Sequence, residues 1–213
     1  MFLILGLVAC MTTPAQRVDA LGKGNFEGAI EIGSSGIATG VAGEVGAAPI
    51  VQAAGRVGVS DRVDIGALIG NGIGFELQSK FQLTNPESPF GVAIAPQLTP
   101  LFFGVGGAGA GFVRFKVPVL LGFDVGQSQI VIGPAINAST AVAVAGTEAA
   151  AEWIVDPQLA VGVSLQVADN LRLHPEVGMA GPWLISEEAT DDLPFFTRWA
   201  FTLGIQFGDY GDR

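Results

Sequence analysis

His174 is the only histidine of the chain, and Glu176 follows it two positions on. On an extended backbone that spacing puts both side chains on one face, where an imidazole and a carboxylate suit acid–base work. The other acidic group of interest, Asp191-Asp192, falls in a segment that reads as a loop at the opposite end of the strand from the Asn170 turn. His174 is only about four residues from that turn, so at roughly 3.3 Å per residue it sits deep, far from the acidic pair. A histidine and glutamate satisfying each other is the blander and stronger reading. The single cysteine, Cys10, excludes an internal disulfide and a multi-cysteine metal site. Gly104 to Gly111 reads GVGGAGAG but lacks the G-K-[ST] ending of a phosphate loop, and no strand-to-helix context follows it. It reads instead as a flexible loop. No catalytic set, metal or other cofactor is expected.

The elements that would hold these residues follow from composition. Hydrophobic residues make up 49% of the 213 and charged ones only 14%, half the share roughly expected of a soluble domain. Mean hydropathy is +0.50. Yet Gly, Pro, Gln, Asn or a charge interrupts every apolar stretch well before the roughly 20 residues a spanning helix needs. The 31 glycines and 12 prolines also oppose long helices. Backbone N–H and C=O groups in lipid must all be paired, so the remaining way across a bilayer is a closed barrel. The formal charge of −10 opposes binding to nucleic acid, whose phosphates need a basic surface.

From Gly24 onward the sequence alternates with period two, which predicts strands. In the last segment Phe195, Thr197, Trp199, Phe201, Leu203, Ile205 and Phe207 share one face, and Arg198, Ala200, Thr202, Gly204 and Gln206 the other. Nine similar segments precede it, centred near Ile30, Ala53, Ile65, Leu77, Ile94, Phe115, Ile132, Val161 and Leu173. Ten strands of roughly 8–12 residues suit an even-numbered antiparallel barrel, with 8 to 12 strands as the range. Short turns at Ser60-Asp61, Asn85 to Ser88, Gly122 to Ser128 and Ala168 to Asn170 alternate with longer loops at Ser34 to Pro49, Pro100 to Gly111, Ala145 to Glu152 and Gly181 to Pro194. Asn71-Gly72 reads as a two-residue hairpin. A soluble sandwich would show the same period. Its polar face, however, would be dense in Lys and Glu, whereas here that face is mostly Gly, Ala, Ser, Gln and Asn. The polar side is therefore the lumen. It carries Glu27, Glu31, Arg56, Asp64, Glu76, Lys80, Arg114, Lys116, Arg172, His174, Glu176 and Arg198. Those charges either line a narrow aqueous pore or pair and fill it, and ten strands leave little room, which favours filling.

The last segment resembles the terminal strand of outer-membrane barrels, which is read by the outer-membrane assembly machinery and usually ends in an aromatic such as Phe207. The stretch from Gly24 to Phe207 is similar to small bacterial outer-membrane β-barrel proteins of the OmpA- or OmpW-like kind. Leu7-Val8-Ala9-Cys10 resembles a lipoprotein signal, although no Lys or Arg precedes Cys10. These resemblances imply a signal peptide at 1–9, lipidation of Cys10, a periplasmic linker at 10–23, an up-and-down transmembrane β-barrel at 24–207 and a tail at 208–213. They also imply an outer-membrane location, membrane lipids as partners, and a structural role or passive passage of small solutes. Some outer-membrane barrels, the omptin proteases and lipid A deacylases, are enzymes that use His with acidic or Ser partners. A barrel enzyme acting on lipid or peptide through His174 and Glu176 is the alternative.

Overall fold

A computed structural model describes residues 16–39, 45–70, 74–105, 108–145, 148–181 and 196–208. They form β1 (Phe26–Thr39), β2 (Val45–Ser60), β3 (Val63–Gly70), β4 (Gly74–Gln82), β5 (Phe90–Ile94), β6 (Gln97–Val105), β7 (Ala108–Val125), β8 (Ser128–Ala145), β9 (Glu148–Ala168), β10 (Leu171–Ala180) and β11 (Phe196–Gly208). Apart from β5 and β6, each strand pairs antiparallel with its sequence neighbours, and β1 pairs with β11, so the sheet closes on itself. β5 and β6 both lie between β4 and β7 and together make one stave. The break falls at Ala95-Pro96 because proline has no N–H for the ladder. It is patched by Ala95 N–H donating to Pro118 O (3.0 Å) and Ser79 N–H donating to Pro96 O (3.0 Å). The wall therefore has ten staves, as the alternation predicts.

The wall is inverted relative to a soluble protein. Along β11, Phe201, Ile205 and Phe207 are 54%, 40% and 45% exposed, while Ala200, Thr202 and Gln206 are 0–1% exposed. The same split runs round the barrel: Ile30, Val51, Ile69, Leu77, Phe115, Ile136 and Val177 face out, and the buried side chains include many Glu, Gln, Arg, Lys and Asp. Such a continuous apolar exterior far exceeds the few hundred Å² that soluble monomers tolerate. It is the surface of a membrane-spanning barrel, with lipid as its solvent. The closed ladder also predicts kinetic resistance to SDS. Unboiled protein is expected to migrate differently from boiled protein on SDS gels, whereas identical migration, with solubility as a monomer in detergent-free buffer, would contradict the membrane assignment.

Three segments expected to be long loops are mostly strand. β1 and β2 reach Thr39 and Val45, β6 and β7 reach Val105 and Ala108, and β8 and β9 reach Ala145 and Glu148. Gly and Ala are weak strand formers and give little alternation, so the pattern fades there. The ladder needs only backbone groups, and it continues through pairs such as Ala110↔Ala143. Most of Gly104 to Gly111 is thus in β6 and β7 rather than in a flexible loop. β7, β8 and β9 span 18, 18 and 21 residues, well beyond the expected lengths. The register Gly70↔Gly74 leaves three residues between the paired glycines, not the two expected from Asn71-Gly72. Cys10, the 1–9 segment, Asp191-Asp192, Phe195 and the tail from 209 lie outside the described residues.

The described part of the expected linker does not hang below the barrel. Gln16, Val18, Ala20 and Leu21 are 1%, 0%, 1% and 6% exposed. They enter the lumen through the end that carries the short turns, the chain's Asn25 and Gly208, and the tight turn at Gly126 (φ 62°). In bacterial barrels the short turns are periplasmic.

Candidate functional site

The lumen is where this fold gathers its chemistry. All twelve charged or titratable side chains expected to point inward lie there, each between 0% and 6% exposed. Register brings many of them into opposite-charge pairs. Glu27 faces Arg56 across β1–β2 and forms an ion pair with it. Asp64 faces Lys80 across β3–β4 at 2.9 Å. Glu31 faces Gln52, whose amide donates to it. Arg172 faces Gln166 and donates to its Oε1 (2.7 Å) and to Gln127 O (3.2 Å).

Further in, Glu76 ties three strands together. It accepts from Arg114 on β7 (2.6 Å), Thr99 on β6 (3.0 Å) and Gln78 on its own strand (2.8 Å). Lys116, 1% exposed, lies on the same strand face as Arg114. Nearer the opposite end, Asp156 forms an ion pair with Arg198 and accepts from Asn137 (2.8 Å) and Gln158 (3.1 Å). Asp156 is not among the inward charges expected from the sequence, and it lies just before the segment centred near Val161. The continuing alternation of Asp156, Gln158 and Ala160 was the signal that could have found it.

His174 and Glu176 do meet, with Nε2 3.5 Å from Oε2. That is beyond a sound hydrogen bond. His174 is fully buried, and neither ring nitrogen has a hydrogen-bond partner among the described residues. The ring packs on Gly162, where even a Cβ would lie 2.5 Å from Nε2, so this strand position requires glycine. No group of three or more His, Cys, Asp or Glu able to hold a metal occurs among the described residues. The arrangement offers the imidazole no open side for a substrate.

The segment before β1, expected to be a periplasmic linker, adds a feature that expectation did not contain. Its backbone is held by lumen side chains. Val18 N–H donates to Gln129 Oε1 (2.8 Å), Ala20 N–H to Gln82 Oε1 (2.8 Å) and Leu21 N–H to Asp64 Oδ1 (2.9 Å). Lys80 Nζ donates to the carbonyls of Arg17 (3.2 Å) and Asp19 (2.5 Å). Val18 fills an apolar spot made by Ala93, Ala95, Leu120 and Val131. Leu120 and Val131 are apolar residues on lumen-facing positions, and that misfit was the available clue.

No family model matches the sequence, and no curated protein matches it. Solved structures do match the fold. The outer membrane protease OmpT from Escherichia coli is 11% identical with a TM-score of 0.51, over 86% of this chain and 96% of that one. Ail, the attachment invasion locus protein of Yersinia pestis, is 12% identical with a TM-score of 0.43, over 87% of this chain and 99% of that one. Neisserial surface protein A is 10% identical with a TM-score of 0.43, over 85% and 96%. At these identities the likeness establishes architecture alone.

Proposed function

We propose that this bacterial outer-membrane β-barrel is a closed, structural component of the envelope, neither an open pore nor an enzyme. The observation that carries the reading is the filled lumen. The strand carboxylates and cations that point inward, from Glu27 and Asp64 at the short-turn mouth through Glu76, Arg114 and Lys116 to Asp156 and Arg198 near the opposite end, are each at most 6% exposed. Charge balance supports it. Among the described residues, six buried carboxylates (Glu27, Glu31, Asp64, Glu76, Asp156, Glu176) are matched by six buried cations (Arg56, Lys80, Arg114, Lys116, Arg172, Arg198). Selective pores present rings of one sign to a water-filled path. Paired opposite charges instead cancel each other's field and crosslink strands.

Against the enzyme alternative stands the sealed setting of His174, which leaves the pair with Glu176 a packing role. Purified protein in planar bilayers is expected to show no steady conductance above the lipid background. A stable, ion-selective open state of the full chain would replace the structural reading with the pore.

A further inference from the structure

We propose that the short-turn half of the lumen is a binding groove for a short polypeptide segment, and that the chain's own Gln16–Leu21 is its tethered occupant. The barrel wall closes through its own strand pairings, none of which uses this segment. The segment is an insert into a complete wall, held as a ligand would be.

Three features give the groove its specificity. First, the segment runs parallel to β4 with a nearly constant offset. Gln16 meets Gln78, Arg17 and Asp19 meet Lys80, and Ala20 meets Gln82, at sequence separations of 61 to 63. Second, the bonds to Val18, Ala20 and Leu21 use backbone N–H groups and those to Arg17 and Asp19 use carbonyls, so the groove reads the main chain, which bends at Val18-Asp19. Edge-strand peptide recognition likewise draws affinity from the ligand's main chain and selectivity from side-chain pockets, although here lumen side chains supply the partners. Third, one side chain is read closely. A Cβ at Gly91 would sit 2.8 Å from Val18 Cγ1, and one at Gly122 would sit 2.6 Å from Val18 Cγ2. Both glycines make room for a small branched apolar side chain at that position.

The tether is slight. Gly22 and Gly24 hold positive φ (84° and 86°), and Lys23 between them is exposed. Asn25 Nδ2 donates to Leu21 O (2.8 Å) and Gly24 N–H to Gly58 O (2.8 Å), which closes the turn. Gly58 is itself needed here, since a Cβ would collide with the Gly22 backbone.

Lys23 gives the test. Arg62, in the exposed turn between β2 and β3, is first changed to Gln to leave Lys23 as the accessible tryptic site. The folded protein in detergent is then nicked. The fragment ending at Lys23 is expected to stay with the barrel through gel filtration. A fluorescent synthetic peptide of Gln16–Lys23 should exchange into the nicked barrel saturably. The same peptide carrying Val18→Asp should compete at least tenfold more weakly. Placing the substitution in the peptide keeps barrel folding out of the comparison. Immediate loss of the native fragment, no saturable exchange, or equal competition by both peptides would overturn the groove. None of these outcomes depends on whether the barrel conducts, so the closed-barrel reading is tested separately.

Discussion

Phe201→Arg is expected to collapse the folded fraction of the barrel, while Phe201→Leu leaves it nearly intact. Phe201 lies near the middle of β11, is 54% exposed, and pairs in register with Ser34 on β1 and Val177 on β10. Its side chain meets hydrocarbon rather than water. An arginine near the bilayer midplane on the lipid face costs about 2–4 kcal/mol, falling to about 0–1 near the interfaces. Phe207, at the end of β11 beside the Asn170 turn, is the control for depth, because Gly208 N–H already bonds Asn170 O (3.2 Å). Phe207→Arg should therefore cost much less. Urea titrations in lipid vesicles, read by the heat-sensitive gel band, measure each variant. If Phe201→Arg and Phe201→Leu unfold at the same urea concentration, the outward face does not meet lipid. An arginine at Thr202 makes a poor comparator, because Thr202 is 1% exposed and the lumen around it is full.

The part of this fold legible in the sequence is the part set by local alternation. Glu27/Ala29 against Phe26/Ile30, or Thr202/Gln206 against Phe201/Ile205, announce inside and outside without knowledge of any partner strand. Register is a different quantity, because it depends on turn length. A two-residue hairpin at Asn71-Gly72 would pair Gly70 with residue 73 and set Asp64 opposite Ser79. The observed Gly70↔Gly74 register sets Asp64 opposite Lys80 and makes the ion pair. One residue of turn length thus decides which lumen charges meet.

The inserted segment was illegible for another reason. Gln16 to Leu21 is too short for its alternation to stand out, and its backbone partners come from side chains dispersed over β3, β4 and β8. The long hairpins were hidden by Gly and Ala, which continue a ladder without marking its faces. For His174, residue type and spacing left acid–base chemistry as the weaker alternative to mutual pairing with Glu176. Only the neighbouring strand, with Gly162 under the ring, showed that the imidazole is packed in.

Glu76→Ala is expected to be the most damaging single change in the lumen, at about 3–5 kcal/mol, the usual cost of removing one partner of a buried ion pair. The carboxylate accepts from β4, β6 and β7 at once, at the stave where Pro96 interrupts the wall. Its loss deprives Arg114, 4% exposed, of a short charge-assisted bond and leaves Thr99 with less to hold β6 against β4. Glu76→Gln keeps the shape and one acceptor oxygen but loses the charge, so its cost should be smaller, about 1.5–3 kcal/mol for bonds to a charged group. The double variant Glu76→Leu with Arg114→Leu removes both charges together. Apolar replacement of a whole buried pair is often neutral, so the double should recover most of the loss. A double-mutant cycle by urea unfolding measures the coupling, and a nonadditivity below about 0.5 kcal/mol would place the two residues among independent sites. That result would mean the lumen charges merely coexist. A large coupling would mean they crosslink the wall across the break at Pro96, as a closed structural barrel requires.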